Sequence, residues 1–157
     1  MANSNYTDDS IKNIPWYDYI RIRPGVYVGD VGTPDEAYSG IYFLFKEVVD
    51  NGIDEHLMGV GNRIEISLDH DMNSISIRDY GRGIPLNSVK KAACTLHTGA
   101  KFDSDAFQKT TGTHGIGIKA VNALSSDFEV VSYRDGNFAC IHTRKGRVTQ
   151  ENAGTTK

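Results

Sequence analysis

The sequence predicts an α+β fold built around one long helix and two antiparallel β-hairpins. Residues 41–58 collect most of their apolar side chains in one sector at 100° per residue, which is typical of a helix packed on one side. Residues 63–79 and residues 128–144 each contain two alternating apolar segments joined by a short polar turn, which is the pattern of a hairpin. The 157 residues are a common size for a single domain with one core.

Composition narrows the class of protein. With 39% hydrophobic and 24% charged residues, the chain has ordinary globular usage, which excludes disorder, collagen and coiled coil as overall classes. The net charge of −3 argues against tight binding of bare nucleic acid by this chain alone, because phosphate neutralisation needs clustered positive charge. Cys94 and Cys140 are too few for a four-ligand zinc site and predict buried, reduced thiols. No leader or membrane-length apolar run is visible, so we expect a cytoplasmic protein without membrane contact.

The N-terminal elements are predicted from turn residues. Residues 1–18 form a polar N-terminal arm, because Pro15 disfavours a helix through Ile14 to Tyr17. Residues 21–25 are expected to form a turn, and residues 26–28 a short strand.

The helix over residues 41–58 has two distinct sides. Its apolar sector contains Ile41, Leu44, Phe45, Val48, Val49 and Ile53, and its polar sector contains Glu47, Asp50, Asn51 and Asp54. Gly59 and Gly61 are expected to end it.

The first hairpin pairs residues 63–69 with residues 74–79. Alternation points Ile75 and Ile77 inward, and the same alternation points Asp79 inward, where a carboxylate needs a partner. Further along we expect a short helix over residues 86–93, a long loop over residues 97–114 and a helix from about Ile118 to Leu124. After the second hairpin, with its turn at residues 135–137, the chain is expected to end in a polar tail.

Three groups of residues could carry chemistry. Glu47 and Asn51 lie one helical turn apart. They are either a solvated polar face, or a carboxylate that activates water beside an amide oxygen that binds a hard cation such as Mg²⁺. Residues 79–85 read either as a strand that ends in a glycine turn, or as a purine site in which Asp79 accepts a hydrogen bond from the exocyclic amine.

The third group is the glycine-rich turn at residues 112–117, which directly precedes the predicted helix near Ile118. Backbone N–H groups at such a helix N-terminus could bind an anion. Lys101 and Lys119 could add charge there, although lysines more often face solvent. The chain has no Walker A loop, no strand ahead of this turn as a dinucleotide fingerprint requires, and neither HExxH nor GxSxG.

Taken in order, these groups resemble the motifs of a known superfamily. EVVDNGIDE at 47–55, DYGRGIP at 79–85 and GTHGIGIKAVNALS at 112–125 resemble the N, G1 and G2 boxes of the GHKL ATPases. RIRPGVYVG at 21–29, LHTGAKFD at 96–103 and NYTDDSIK at 5–12 are similar to the ATPase domain of bacterial type IIA topoisomerase B subunits, those of gyrase and topoisomerase IV. The resemblance implies a two-layer α/β sandwich of the Bergerat type, with helices on one face of a mixed, mostly antiparallel sheet. It also implies a dimerisation arm over residues 1–18 and an ATP-binding domain, truncated at its C-terminal end, over residues 19–157.

The resemblance implies a role for each matching residue. Glu47 would be the general base, Asn51 the Mg²⁺ ligand and Asp79 the acceptor for the adenine amino group. Other residues implied to contact the nucleotide are Val48, Ile77, Gly83, Ile84 and Pro85 around the base, and Lys101, Gly112, His114, Gly115, Ile116 and Gly117 at the phosphates. Arg82 would pair with Glu55 at the pocket mouth, and Arg134 would lie at the outer edge, where aminocoumarin inhibitors bind in this family. Tyr6 and Ile11 would reach a second protomer.

The implied cycle couples ATP to DNA. ATP binding would order the lid and dimerise the arms, and hydrolysis would reset them, driving DNA strand passage with an A-type subunit in the full-length protein. Gly52 stands where alanine is common, and Lys119 replaces a small residue, which could place extra charge near the phosphates. Because the family region continues past residue 157 with a threonine strand and a γ-phosphate lysine, we expect this fragment to bind the adenine end of ligands but to hydrolyse ATP poorly.

Other functions remain open at this stage. A sensor kinase, a mismatch-repair or chaperone ATPase, and a non-hydrolysing nucleotide-binding module are the alternatives. Glu47 and the RxRPG segment argue against a kinase, and the TGAKFD segment argues against the mismatch-repair and chaperone types. The sequence does not separate gyrase from topoisomerase IV.

Overall fold

The computed structural model describes residues 13–29, 31, 40–71, 73–96 and 115–156. Its helices are α1 (Trp16–Ile22), α2 (Gly25–Val28), α3 (Gly40–Leu57), α4 (Val89–Cys94, after a 3₁₀ turn at Leu86–Ser88) and α5 (Gly117–Leu124). Its strands are β1 (Ile64–Asp69), β2 (Ser74–Asp79), β3 (Phe128–Arg134), β4 (Asn137–Arg144) and β5 (Arg147–Thr155). The α+β class is confirmed.

The N-terminal predictions are wrong in two places. Helix α1 begins directly after Pro15, whose carbonyl accepts the N–H of Tyr19 at 3.0 Å. Proline is tolerated at this end, since the first turn of a helix needs no backbone donor there. The predicted strand at residues 26–28 is instead helical, because the Pro24 carbonyl accepts the N–H groups of Tyr27 and Val28 at 2.9 and 3.0 Å.

Helix α3 agrees with the prediction in extent, but its buried side differs. Asp50 and Asp54 are only 6% and 3% exposed, whereas Ile41 is 65% exposed. Lys46 donates to the Asp50 carboxylate, and α3 is in contact with α2, α5 and β2. The prediction that Asp50 and Asp54 lie on a solvated face is therefore wrong, because neighbouring elements also cover part of the polar sector of the helix.

The first hairpin is confirmed in extent. The predicted inward position of Ile75 is wrong, since it is 47% exposed, because α3 meets the hairpin only at the end that carries Asp79. Ile64 pairs with Asp79, Ile66 with Ile77 and Leu68 with Ile75, so all six side chains share one face. Helix α3 meets this face at Gly52, where an added Cβ would lie 3.0 Å from Ile64 Cδ1 and 3.2 Å from Asp79 Cβ. Glycine therefore allows a close approach of α3 to the end of the hairpin that carries Asp79.

The second hairpin is also confirmed, and a third strand follows it. Asp135 and Gly136, with φ of 51° and 73°, form the two-residue turn that suits the twist of a hairpin. Beyond Lys145 and Gly146 the chain turns again, and β5 pairs with β4. The predicted polar tail is thus wrong. Every residue of β5 is exposed, so its sequence lacks the alternation that marks a half-buried strand.

The strands of the described segments form two antiparallel sheets, β1–β2 and β3–β4–β5. The structure does not join them in the single mixed sheet that the resemblance implied. The core lies under the second sheet, where Val89 of α4 is buried against Ala139 and Ile141 of β4. Both cysteines are free as predicted, with Cys140 buried and Cys94 half-buried. Burial raises the pKa of each thiol.

Among the described residues, no helix combines the length and apolar character needed to cross a membrane.

Candidate functional site

The carboxylate of Glu47 lies against the first residue of α5. A Cβ on Gly117 would lie 1.8 Å from Glu47 Oε2 and 2.7 Å from its carboxyl carbon, so no larger residue fits there without displacement. The N-terminus of α5 carries unpaired backbone N–H groups and the positive end of the helix dipole, which together favour an anion. The fold thus brings the first and third predicted groups, far apart in sequence, to one place.

Asn51 lies one turn further along α3. Its amide nitrogen donates a hydrogen bond to the Glu47 carbonyl at 2.7 Å. The amide oxygen is therefore the atom of this side chain that can bind a cation. The side chain is exposed, and a neutral oxygen beside a carboxylate suits Mg²⁺, which binds few protein oxygens and keeps phosphates and waters. The described residues include no group of three or more acidic, histidine or cysteine side chains arranged to hold a metal.

Asp79 ends β2 on the face that meets α3, in agreement with the predicted alternation. Its Oδ1 accepts the N–H of Gly81 at 2.9 Å, which supplies the partner that the carboxylate needs. The residue remains exposed and lines a cavity of about 250 Å³ together with Gly52, Ile64 and Tyr80. A ligand can therefore reach this carboxylate.

The turn after Asp79 is fixed against β3. Gly83 has φ +72°, and a Cβ there would lie 2.5 Å from the Tyr133 carbonyl oxygen. The Ser132 hydroxyl donates to the Ile84 carbonyl at 2.8 Å, and Ile84 packs against the core around Val89. Gly83 and Ile84 are thus held against the second sheet.

Arg82 and Glu55 form the ion pair that the resemblance implied. Arg82 Nε and Nη2 each donate to Glu55 Oε1 at 3.2 Å, and the backbone N–H of Arg82 donates to Oε2 at 3.2 Å. The pair is partly exposed and so contributes little to stability by charge alone. It connects the last turn of α3 to the turn after β2.

The remaining predicted residues fall into two sets. Val48, Ile77, Gly115 and Ile116 are half-buried, and Arg134 is exposed at the end of β3, where its guanidinium lies 3.6 Å from Asp135. Arg134 directly follows Tyr133, the residue that contacts Gly83. Lys101, Gly112, His114, Tyr6 and Ile11 lie outside the described residues, as does the predicted loop at 97–114.

Lys119 corrects a prediction. It is only 2% exposed, although lysines were expected to face solvent. Burial disfavours the ammonium and lowers the Lys119 pKa to about 8. The spacing of Lys119 from the buried residues Asn122 and Ala123, at three and four positions, is the sequence signal that places it on the inner side of α5.

An α+β domain in which one carboxylate meets an anion-binding helix terminus, and in which a second carboxylate lines a cavity beside the same long helix, has the architecture of an ATP-binding ATPase domain. Residues 37–156 match the family described as histidine kinase-, DNA gyrase B- and HSP90-like ATPases. The match covers most of the chain, which therefore belongs to this family, and the predicted resemblance is confirmed.

Curated relatives carry a more specific name. The B subunit of DNA topoisomerase 4 from Borreliella burgdorferi is 48% identical over 150 residues, which are 96% of this chain and 25% of the relative. The B subunit of DNA topoisomerase 4 from Staphylococcus aureus is 40% identical over 141 residues, or 85% of this chain and 20% of the relative. The chain thus spans a quarter or less of the length of these relatives.

Solved structures agree on the fold. The 43K ATPase domain of Thermus thermophilus gyrase B, in complex with an aminocoumarin, matches with a TM-score of 0.71 and 30% identity, over 90% of this chain and 35% of that one. The ATPase region of Saccharomyces cerevisiae topoisomerase II matches with a TM-score of 0.82 and 18% identity, over 96% of this chain and 48% of that one.

Proposed function

We propose that this chain is the nucleotide-binding part of the ATPase domain of a bacterial type IIA topoisomerase B subunit, in which ATP drives DNA strand passage. The observation that carries the proposal is the contact of the Glu47 carboxylate with Gly117 at the N-terminus of α5. It places a potential base beside a site for phosphate groups. The topoisomerase names of the relatives support the assignment to this class of subunit.

The adenine end of the nucleotide is held by Asp79. Its exposed carboxylate accepts a hydrogen bond from the exocyclic amine, while Ile77, Ile84 and Pro85 provide apolar contact to the ring. Because the Gly81 N–H already holds Oδ1 at 2.9 Å, the carboxylate has a defined orientation before the ligand arrives. Preorganisation of this kind lowers the entropic cost of binding.

The phosphate end lies at the N-terminus of α5. The backbone of Gly112 and of residues 114–117, with Lys101, contacts the phosphates, and Glu47 takes the proton from the attacking water. Mg²⁺, when bound, neutralises charge on the phosphates, and Asn51 is the residue that holds it through its amide oxygen. In this arrangement α3 carries both the base and the cation ligand, and α5 carries the anion site.

Further partners follow from the same proposal. Residues 1–18, including Tyr6, dimerise with a second copy when ATP binds, and the full-length protein acts in the cytoplasm with an A-type subunit and DNA. Arg134, at the outer edge of the site, contacts aminocoumarin-type inhibitors, a proposal supported by the aminocoumarin complex of the Thermus relative.

Calorimetric titration of the chain with a non-hydrolysable ATP analogue, with and without Mg²⁺, tests the proposal. We expect Mg²⁺-dependent binding that Asp79→Asn weakens by about tenfold or more, because a hydrogen bond to a charged group is lost. Asp71→Asn is the matched control, since it removes a carboxylate from the turn of the same hairpin and is expected to leave binding unchanged.

Two results would contradict the proposal. Absence of binding would exclude a nucleotide site in this chain. Binding that depends neither on Mg²⁺ nor on Asp79 would indicate a module without this chemistry. Rapid ATP turnover by the chain that is lost in Glu47→Ala would overturn the expectation of poor hydrolysis.

A further inference from the structure

Arg21 of α1 contacts the end of α5 that lies opposite to Glu47. Its Nη1 donates to the Ala123 carbonyl at 2.8 Å. Ala123 is in the last turn of α5, where carbonyls have no partner within the helix. It is fully buried, so the guanidinium satisfies a group that water does not reach freely. The contact also places a positive charge at the negative end of the helix dipole.

Arg21 is held in this position by the packing of its own helix. Ile20 is completely buried, and Tyr17 packs closely on Gly146 in the turn between β4 and β5. Arg147, next to that turn, donates to the Asp18 carboxylate at 3.3 Å. Helix α1 is thus fixed against the second sheet on one side and against α5 on the other.

Helix α5 connects this contact to the proposed phosphate site. It has eight residues and so is only about 12 Å long. Its first residue, Gly117, touches Glu47, and its last turn accepts the hydrogen bond from Arg21. A shift or tilt at the Arg21 end therefore moves the N–H groups at the other end relative to Glu47.

We propose that Arg21 is a positioning residue for triphosphate binding, which holds α5 where its N-terminal N–H groups face the phosphates beside Glu47. The proposal rests on the proposed function and adds to it a residue far from the ligand. Under this proposal, binding of the adenine end by Asp79 and the turn at residues 83–85 does not depend on Arg21. Binding of the phosphate end does depend on it.

Titration with two ligands, adenosine and a non-hydrolysable ATP analogue, tests this separation. In Arg21→Met, which keeps the length of the alkyl chain, we expect affinity for the ATP analogue to fall about three- to tenfold and affinity for adenosine to change less than about twofold. Arg21→Lys keeps the charge and is expected to recover most of the loss. Arg144→Met is the matched control, because it removes an exposed arginine whose carboxylate partner, Asp127, lies outside α1 and α5, and it should leave the ratio of the two affinities unchanged.

Two outcomes would overturn the proposal. One is an unchanged ratio of the two affinities in Arg21→Met, and the other is the same change of ratio in Arg144→Met. If Arg21→Met does not fold, as judged by circular dichroism, Arg21→Gln decides, since it removes the charge and keeps an amide donor: a larger loss for the ATP analogue than for adenosine supports the role, and an equal loss or none overturns it. Failure of the unaltered chain to bind the ATP analogue would instead overturn the proposed function itself, so the two failures are distinct.

Discussion

Gly117 and Glu47 constrain each other at the scale of single residues. Glycine is normally unfavourable inside a helix, yet here it begins α5, because a side chain at this position would occupy the place of the Glu47 carboxylate. A larger residue at position 117 would therefore require the end of the Glu47 side chain, or α5 itself, to move.

Gly117→Ala is expected to weaken binding of the ATP analogue by about three- to tenfold, because the new Cβ would lie 1.8 Å from Glu47 Oε2, so the carboxylate or the N-terminus of α5 must move. Calorimetry of the purified variant measures the effect. Gly25→Ala is the control, since it also lies in a helix but has no atom within 4 Å of an added Cβ. Unchanged affinity in Gly117→Ala would show that the Glu47 side chain moves away without disturbing the phosphate end, and would contradict the prediction.

Lys119 is a charged residue in a buried position. In the folded chain its pKa is lowered to about 8, from 10.5, because burial disfavours the ammonium. The unfolded chain therefore binds more protons between these two values, so the contribution of this residue to stability rises with pH over that range. Below pH 8 the protein carries the full cost of burying the charge.

The stability of Lys119→Met relative to the wild type is expected to be higher at pH 7.5 than at pH 9.5, by up to about 2 kcal/mol, because only the wild type gains stability as its folded lysine loses the proton. Urea unfolding of both proteins at the two pH values measures this, and the other titrating groups cancel in the difference. A difference between the two proteins that does not change with pH, or that changes in the opposite direction, would contradict it.

At the scale of elements, a buried hydrogen-bond network holds the C-terminal half together. The Asn122 amide on α5 donates to the Ala93 carbonyl on α4 at 3.0 Å, and its oxygen accepts the Thr143 hydroxyl from β4. Both Asn122 and Thr143 are 0% exposed. One side chain thus fixes α5 relative to a helix and to a strand, in addition to the Arg21 contact.

A double-mutant cycle tests this network. Asn122→Ala and Thr143→Val should each lower the free energy of unfolding by about 2 kcal/mol, since each leaves a buried polar partner unsatisfied. The double variant should lose less than the sum. Thr155→Val, which removes an exposed hydroxyl from β5, should change stability by less than about 0.5 kcal/mol. Strict additivity of the two buried substitutions would show that the side chains do not interact.

Periodicity predicted the extent of α3 and of both hairpins better than it predicted which of their side chains are buried. Helix α3 and both hairpins were predicted to within about one residue. Helices α1 and α2 were missed because the prolines at 15 and 24 were interpreted as barriers, whereas each accepts the first hydrogen bonds of a helix. Strand β5 was missed because all of its residues are exposed and only its pairing with β4 makes it a strand.

At the scale of the whole molecule, the motifs predicted which segments meet but not what surrounds them. Glu47 of the N box contacts Gly117 of the G2 box, and Glu55 of the N box pairs with Arg82 of the G1 box. The three motifs therefore meet in the structure. The burial of Asp50, Asp54 and Lys119 was not predicted. For the two aspartates it depends on neighbours that are distant in sequence, about which a helical wheel contains no information, whereas for Lys119 the helical spacing was available and was not used.

The site spans elements from both halves of the chain. Helix α3 contributes Glu47 and Asn51, and the end of β2 contributes Asp79. Helix α5 contributes the anion-binding terminus, and β3 supports the turn at residues 83–85 through Ser132. A nucleotide bound across these elements would connect the first hairpin to the second sheet, which the described strands leave as separate sheets.

A crystal structure of this chain with a non-hydrolysable ATP analogue and Mg²⁺ tests most directly whether these elements form one nucleotide site. We expect the adenine amino group within hydrogen-bond distance of the Asp79 carboxylate and the phosphates at the N-terminus of α5 beside Glu47. A nucleotide seated elsewhere would contradict the site, for instance in the shallow concavity of about 590 Å³ on the β3–β4–β5 sheet that Val131, Phe138 and Asn152 help to line.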